Sequence, residues 1–271
     1  MTYIKKKRKI SIIMGIYNCE ATIEDALKSL MCQTYKDWEL IMCNDCSTDN
    51  TVKIAQTYSD MFDNILLIHN SKNEGLAFSL NHCLEYVDSE YVARMDADDL
   101  SLPTRLEKEV NFLENNKEYA LVSCAMICFD SEGDWGVQVN PEKPTKKDFI
   151  YGSPFCHAPV MMRRIILNNI GNYTVKKFLR RGQDYYLWHK FYYLGYKGYN
   201  IQEPLYKMRD DENAASRRSV KSGFYSSWAT FLIFKDLNIP IRYYYRILRP
   251  ILVSFLPRKF YSYLHKKKVN K

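Results

Sequence analysis

The chain has 271 residues, of which 46% are hydrophobic and 26% charged, and its formal net charge is +8. This length and apolar content suffice for one large α/β domain with a small appendage, and they exclude a globally disordered chain. The apolar runs are all shorter than the roughly 18 residues of a membrane-spanning helix, so we expect no integral membrane segment.

The first 130 residues alternate between strand patterns and helix patterns. Apolar runs predict buried strands at 10–16, 38–43, 65–68, 91–95 and 120–128. Apolar residues at helical spacing predict helices at 23–32, 48–58, 75–87 and 103–115. This alternation predicts an α/β fold with a mostly parallel sheet and helices on both faces.

The pattern changes after residue 130, where Gly133, Gly136, Pro141 and Pro144 predict a loop. Helices are predicted at 183–193 and 219–237, and residues 241–271 mix aromatic and aliphatic residues with Arg and Lys. That mixture predicts an amphipathic helical tail. We therefore divide the chain into a domain over 1–218 and a basic, aromatic helical segment over 219–271.

The excess positive charge lies at the two ends, in KKKRK at 5–9 and in residues 242–271. Such ends can face water or an anionic membrane surface, and we expect no nucleic-acid partner. The N-terminus enters a strand pattern without a signal peptide, and most of the 8 cysteines lie in apolar runs, which favours the cytoplasm. Cys43 and Cys46 have CxxC spacing, but no second pair completes a zinc site.

Three carboxylates, Asp96, Asp98 and Asp99, follow the fourth predicted strand. Ligands of parallel α/β sheets bind at the carboxyl ends of the strands. We expect Asp99 to cap the helix that begins near Pro103. Asp96 and Asp98 would repel each other unless a cation balances them, and oxygen ligands suit Mn²⁺ or Mg²⁺, which often bridge to substrate phosphates. A DxD motif is short, so alone it indicates a nucleotide-diphosphate site only weakly.

Polar residues also follow the other predicted strands. Residues 17–20 follow the first strand, Asn44 and Asp45 the second, and Asn73 and Gly75 the third. Each group alone could be ordinary turn chemistry. Because all of them should lie on the edge that carries the DxD motif, together they predict one ligand site.

Seven motifs occur in a fixed order: SIIMGIYN at 11–18, QTYKDWELI at 33–41, NDCSTDNT at 44–51, NEGLA at 73–77, ARMDADD at 93–99, LPTRLEKEVNFLE at 102–114 and GQDYYLW at 182–188. As an ordered set they resemble the family 2 glycosyltransferases, which are inverting enzymes with the Rossmann-like GT-A fold. The resemblance covers about residues 8–210. It implies a nucleotide-binding half over about 8–130 and an acceptor half over about 131–218.

The resemblance implies roles for the donor-side residues. Tyr17 and Glu20 would line the nucleoside pocket, and Asp45 would bind the uracil edge of a UDP-sugar. Asn73 and Gly75 would pass close to the nucleotide.

The remaining roles concern the metal and the chemistry. Asp96 and Ala97 would contact the donor's ribose or sugar, and Asp98 would hold the metal. Asp184 matches the general base, which in an inverting transfer takes the proton of the acceptor hydroxyl. Asp184 could also be the N-cap of the helix at 183–193.

Three positions depart from the family pattern. Gly15 stands where Pro is usual, which should loosen the strand end, and Asn44 stands where Asp is commoner. Gln183 stands where Glu is commoner, which should lower the pKa of the base. None of the three carries an assigned role.

Four further residues have two interpretations each. His157 fits a position near the acceptor or diphosphate, although a lone His is more often a structural hydrogen-bonding residue. Arg209, Arg217 and Arg218 could close over the diphosphate as a lid or form a solvated charge run.

The expected function is transfer of a sugar from a nucleotide-sugar to a lipid-linked saccharide acceptor in bacterial cell-surface polysaccharide biosynthesis. The tail at 241–271 would bind the inner face of the cell membrane or fold back on the domain. One alternative is a nucleotidyltransferase, but the loop GIYNCE lacks the basic residues that cradle a triphosphate. Another is a non-catalytic carbohydrate-binding or scaffolding protein, which need not keep Asp96, Asp98 and Asp184 together.

Overall fold

The computed structural model describes residues 7–210, 219–257, 266, 267 and 269. The strands are β1 (Ile10–Ile16), β2 (Trp38–Asn44), β3 (Ile65–His69), β4 (Tyr91–Arg94), β5 (Leu100–Ser101), β6 (Leu121–Asp130), β7 (Gly133–Gln138), β8 (Met161–Arg163) and β9 (Gly198–Arg209). The α-helices are α1 (Ile23–Met31), α2 (Thr51–Met61), α3 (Leu76–Leu84), α4 (Arg105–Asn115), α5 (Arg164–Asn169), α6 (Gln183–Tyr193), α7 (Val220–Asp236) and α8 (Arg249–Ser254). Short 3₁₀ helices occupy Lys146–Ile150, Lys177–Leu179 and Ile241–Leu248. Arg217 and Arg218 lie outside the described residues.

The strands form one mixed sheet in the order β3-β2-β1-β4-β8-β6-β9-β5, with β7 paired to β6. Strands β3, β2, β1 and β4 are parallel, as predicted. Beyond β4 the order changes, because β8 lies antiparallel between β4 and β6. Strand β6 therefore does not continue the parallel run, and it pairs in parallel with β9 instead. The predicted α/β architecture is confirmed, and its parallel part is the half that ends at β4.

Helices cover both faces of the sheet, as the alternation of strands and helices predicted. Ile10, Ile12 and Met14 of β1 point into a core that α1, α2 and α4 complete. The intervening Ile13 points into a second core, which α3, α6 and α7 complete. Since side chains alternate along a strand, apolar residues at successive positions of β1 require a helix layer on each side.

The beginning of the predicted C-terminal segment packs on the second core. Ile233 and Phe234 of α7 are buried there together with Trp188 of α6. Tyr243 and Tyr244, in the following 3₁₀ helix, pack against the same cluster. The described part of the tail is helical over 241–254, as predicted, and its first turns fold back on the domain. Among the described residues, no helix has both the length and the apolar character needed to cross a bilayer.

The predicted cap of α4 is wrong. Helix α4 begins after Thr104, whereas the Asp99 carboxylate accepts a hydrogen bond from the backbone N–H of Arg209 at 2.7 Å. The reason is the pairing of β5 with β9, which the sequence pattern did not show. Asp99 directly precedes β5, so its side chain reaches the end of β9 and not the helix.

A buried ion pair on α4 is hydrogen-bonded to the carboxyl end of β4. The side chains of Arg105 and Glu109 on α4 have no exposed surface, and Arg105 Nε lies 3.2 Å from Glu109 Oε2. Arg105 Nη2 also donates to the backbone carbonyl of Arg94 at 2.7 Å. Its guanidinium lies over the ring of Tyr206 on β9. Helix α4, β4 and β9 are thereby joined next to the three aspartates.

We predict that Glu109→Gln lowers the free energy of unfolding by about 3 kcal/mol, because it leaves a buried guanidinium without its counter-charge. The matched control is Glu24→Gln, which breaks the exposed i,i+4 pair with Lys28 and should leave stability nearly unchanged. Urea unfolding followed by circular dichroism measures both. Equal midpoints for the two variants would contradict the structural role of the buried pair.

Candidate active site

A cleft of about 600 Å³ opens at the carboxyl ends of the parallel strands. Most of the predicted donor-site and metal-site residues line it, namely Tyr17, Asp45, Asn73, Gly75, Asp96, Ala97 and Asp98. They come from the segments that follow β1, β2, β3 and β4. The structure therefore brings these segments together as predicted from the parallel order of the strands.

Asp45 holds the third of these segments in place. Its Oδ1 accepts hydrogen bonds from Asn70 Nδ2 and from the backbone N–H of Glu74, and its Oδ2 accepts one from the N–H of Gly75, all at 2.8 Å. Gly75 has φ +89°, a conformation that favours glycine, and this presents its N–H to the carboxylate. Asp45 thus shapes the cleft wall, and Oδ2 keeps lone-pair capacity toward a ligand.

Glu20 does not line the cleft itself, although Cys19 and Ala21 on either side of it do. Its Oε2 accepts hydrogen bonds from the backbone N–H and Nδ2 of Asn50, both at 2.9 Å. Asn50 immediately precedes α2, so a carboxylate here is stabilised by the N-terminus of that helix. Glu20 thus fixes the start of α2, and its contact with a nucleoside stays a prediction.

Asp96, Asp98 and Asp99 form a compact acidic cluster, in which one carboxylate oxygen from each lies within 4.8 Å of the others. Burial raises the pKa of Asp99 well above its ordinary value, and the charges of Asp96 and Asp98 add to that rise. Three hard oxygen donors in this spacing fit Mn²⁺ or Mg²⁺. A bound divalent cation would relieve the repulsion that the cluster creates.

A buried arginine lies beside the cluster. The guanidinium of Arg94, the last residue of β4, is ion-paired with the carboxylate of Asp96. Its Nε has no hydrogen-bond partner in the described part of the chain. The sequence analysis missed this residue, although the signal was a single cation in an apolar strand directly before the DxD motif. Arg94 therefore places a permanent positive charge beside Asp96, which lines the cleft.

Asp184 lies in the first turn of α6 and lines a different cavity, of about 280 Å³. The N-cap of α6 is Gly182, so Asp184 is not the cap. Burial raises the pKa of Asp184, while the N–H of Tyr185 and the charge of Arg94 act to lower it. The charge of Asp96 makes a smaller contribution to the rise in the pKa of Asp184.

The turn before α6 separates the two cavities. Arg180 lines the cleft, and its Nη2 donates to Asn73 Oδ1 at 3.4 Å. The next residue, Arg181, lines the cavity of Asp184. Neither arginine was identified from the sequence, because no motif marks residues 177–181.

Arg209 lines the cleft, but it is held at the end of β9. Its Nε donates to the backbone carbonyl of Asp98 at 3.1 Å, and its guanidinium lies over the ring of Phe129 at 4.6 Å. These contacts hold a cation next to the acidic cluster.

The contacts of His157 fit a structural role better than a role near the acceptor or diphosphate. Its Nε2 is 2.9 Å from the hydroxyl of Tyr173, and its ring packs edge-on against Trp188. It lines neither the cleft nor the cavity of Asp184. Burial lowers its pKa well below the ordinary value, with a smaller contribution from Arg94, so the imidazole is neutral.

A metal-fitting acidic cluster at the carboxyl ends of parallel strands, with a carboxylate nearby in a second cavity, defines a nucleotide-dependent transferase site. The sequence model of the family described as "Glycosyl transferase family 2" matches residues 11–171. The chain belongs to that family, and the predicted glycosyltransferase with a GT-A fold is confirmed.

Known proteins agree with this assignment. The putative glycosyltransferase EpsE of Bacillus subtilis is 42% identical over 262 residues, which cover 96% of this chain and 94% of that protein. The β-1,3-glucosyltransferase WfgD of Escherichia coli is 32% identical over 180 residues, 66% of this chain and 68% of that protein. The crystal structure of S. aureus TarS 1–349 with UDP-GlcNAc has the same fold, with a TM-score of 0.68 at 20% identity, and the match covers 91% of this chain and 72% of that one.

We predict that Arg94→Met lowers the melting temperature by several degrees, because breaking an ion pair whose arginine is buried costs about 3 kcal/mol. The control is Arg164→Met, which breaks a partly exposed contact with Asp88 and should leave the melting temperature almost unchanged. Differential scanning calorimetry measures both. A melting temperature for Arg94→Met equal to that of the wild type would rule out the structural role of this pair.

Proposed function

We propose that the protein is an inverting glycosyltransferase that moves a sugar from a UDP-sugar to a lipid-linked saccharide in the synthesis of bacterial cell-surface polysaccharide. The observation that carries this proposal is the arrangement of two adjacent cavities, one with the acidic cluster and one with Asp184. WfgD is named for transfer of glucose from UDP-Glc to GlcNAc-diphosphoundecaprenol, and TarS was crystallised with UDP-GlcNAc. Both descriptions support a UDP-sugar donor here, and the first supports a lipid-diphosphate acceptor.

The cleft is proposed to bind the donor. Tyr17, which is 51% exposed, offers an aromatic face to the nucleoside, and Asp45 offers its remaining acceptor capacity to the uracil edge. Asn73, Gly75 and Ala97 form the walls against which the nucleotide would lie.

Asp98 would hold Mn²⁺ or Mg²⁺, with Asp96 and Asp99 beside it. When bound, the metal ion supplies Lewis-acid stabilisation of the leaving diphosphate. A mannosyltransferase of similar fold from Pyrobaculum calidifontis, with a TM-score of 0.63, was crystallised with GDP-Man and Mn²⁺. Arg180 and Arg209 add fixed positive charge along the same cleft, where it would favour a developing phosphate anion.

Asp184 is proposed to act as the general base. The acceptor hydroxyl gives its proton to the Asp184 carboxylate while its oxygen attacks the anomeric carbon of the donor sugar. The bond from that carbon to the nucleoside diphosphate breaks, and its electron pair leaves with the diphosphate. With the base in one cavity and the acidic cluster in the other, attack and departure would take place on opposite faces of the sugar, and its configuration would be inverted.

A peripheral attachment to the cytoplasmic face of the membrane is also proposed. Apolar side chains at three- and four-residue spacing form an exposed stripe on the C-terminal turns, namely Ile241, Tyr245, Leu248, Leu252 and Phe255. Arg242, Arg246 and Arg249 lie between them in the sequence. An apolar stripe accompanied by cations is typical of a segment that lies in the interface of an anionic membrane.

Asp184→Asn is predicted to lower kcat about 10²- to 10⁴-fold, because the amide cannot accept the acceptor proton. Calorimetric binding of UDP with Mn²⁺ should be unchanged, since Asp184 does not line the donor cleft. Asp63→Asn is the control, because Asp63 precedes β3 at the opposite edge of the sheet. Full turnover of Asp184→Asn with intact UDP binding would exclude the base role.

The pH dependence of kcat tests the same carboxylate independently. Only the ionised form accepts a proton, and burial raises the pKa of Asp184. Activity should therefore fall on acidification at a pH above the ordinary Asp value of about 3.9. Initial rates between pH 4 and pH 8 would show this acid limb, with circular dichroism at each pH as the check on folding. A rate that stays constant down to about pH 4 would contradict a raised pKa.

Leu252→Glu combined with Phe255→Glu should abolish co-sedimentation with phosphatidylglycerol vesicles, because it puts charge into the apolar stripe. Point substitutions are preferred to deletion of 241–271, since Tyr243 and Tyr244 pack on the core. The control is Ile165→Glu, which charges an equally exposed apolar residue on α5. Vesicle binding that survives the double substitution would refute attachment through this stripe.

A further inference from the structure

The cavity of Asp184 continues away from the donor cleft into a second cavity. The first, of about 280 Å³, contains Asp184 together with Arg246, and the second has a volume of about 300 Å³ and lies between α7 and α8. Arg181, Ser226, Arg249 and Pro250 line both cavities. The two cavities therefore adjoin and form one groove, which we call the acceptor groove, with Asp184 at one end and α8 at the other.

The charge along the acceptor groove is unbalanced. Arg181, Arg246 and Arg249 line it, and Asp184 is the only acidic residue among the described residues that do so. In the part of the chain that the structure describes, no carboxylate forms an ion pair with Arg246 or Arg249. Guanidinium groups stay charged at any physiological pH, so three of them around one carboxylate favour a ligand with more than one negative charge.

Arg246 is positioned before any ligand arrives, and helix packing fixes the backbone at Arg249. The guanidinium of Arg246 lies 4.8 Å from the ring centre of Tyr151, and its Nε donates to the hydroxyl of Tyr245. Arg249 begins α8, which packs tightly on α7 at Gly223, where a Cβ atom would lie only 3.0 Å from the carbonyl oxygen of Pro250. A planar guanidinium that is already oriented loses little entropy when it binds phosphate oxygens in a bidentate manner.

The distance between the reacting hydroxyl and the diphosphate of the acceptor limits where its binding site can lie relative to Asp184. In a lipid-diphosphate saccharide, the sugar next to the diphosphate carries both the phosphate ester and the hydroxyl groups that can attack. If one of those hydroxyls faces Asp184, the diphosphate must lie about one sugar ring away. Arg246 and Arg249 line the same cavity as Asp184, which has a volume of about 280 Å³.

The far end of the groove has a mixed lining, in which Pro250 and Val253 lie together with Ser222, Ser226 and Ser254. Leu252 and Phe255 do not line the groove, but they are exposed beside Val253 in the sequence, at 65% and 66%. A hydrocarbon chain that leaves the groove past Val253 would meet these exposed side chains. A base, cations and exposed apolar side chains would then follow the order of sugar, diphosphate and lipid.

We propose that Arg181, Arg246 and Arg249 form a binding site for the diphosphate of a lipid-linked acceptor, to which the C-terminal segment contributes Arg246 and Arg249. This inference rests on the proposed glycosyl transfer and adds the residues that recognise the diphosphate of the acceptor. The diphosphate is bound and not transformed, so the arginines take no part in proton or sugar transfer.

The test is isothermal titration calorimetry of the full chain with farnesyl diphosphate, farnesol and inorganic pyrophosphate, in EDTA so that the aspartate cluster holds no metal. Farnesyl diphosphate should bind more tightly than either of the other two. Arg246→Gln combined with Arg249→Gln should weaken it at least about tenfold, as expected when hydrogen bonds to a charged group are lost. The control is Arg242→Gln, because Arg242 is exposed and lines neither cavity of the groove.

Each variant is also titrated with UDP and Mn²⁺, which reports on the donor cleft alone. Unchanged affinity of farnesyl diphosphate for the double variant, with UDP binding intact, overturns the diphosphate site and leaves the proposed transfer standing. Equal binding of farnesol overturns the role of the arginines, and equal binding of pyrophosphate overturns the lipid assignment. Failure of the wild type to bind UDP counts against the proposed function itself.

Discussion

The concentration of negative charge at the carboxyl end of β4 is the constraint on which this structure depends. Three carboxylates within four residues repel one another, and Asp99 is buried. The protein offsets part of this charge with its own groups, since Arg94 pairs with Asp96 and the N–H of Arg209 binds Asp99. The negative charge that is not offset in this way would favour the binding of a divalent cation. The strand pairing of β5 with β9 and the buried contacts of Arg105 hold this charge in one place.

The division of the site into two cavities follows from the turn at 177–182. Because Arg180 lines one cavity and Arg181 the other, a donor diphosphate and an anionic acceptor can each meet a cation without sharing one. The C-terminal segment then completes the acceptor side, since α7 is part of the second core and α8 packs on α7 at Gly223. The tail thereby belongs to the proposed active site as well as to the proposed membrane surface.

Local patterns were sufficient to find the parallel strands β1 to β4 and their polar ends, although not the order β3-β2-β1-β4 in which they pair. Parallel strands end at the same edge of a sheet whatever their order, so Asp45, Gly75, Asp96 and Asp98 were correctly placed on one cleft. Long-range pairing was not visible: β8 has only three residues, and β9 has no alternating pattern. The contact of Glu20 with Asn50 was not visible either, because the two residues belong to different segments. Arg246 and Arg249 were missed because only the packing of α7 and α8 brings them to the cavity of Asp184.

The most direct test of the central claim is calorimetric binding of UDP, GDP and CMP, each with and without Mn²⁺, to the wild type and to Asp98→Ala. It requires no knowledge of the acceptor. A UDP-sugar transferase whose metal is held by Asp98 should bind UDP only in the presence of Mn²⁺ and should lose that binding in the variant. Preference for GDP would contradict the role given to Asp45, and metal-independent binding that survives in Asp98→Ala would contradict the metal site.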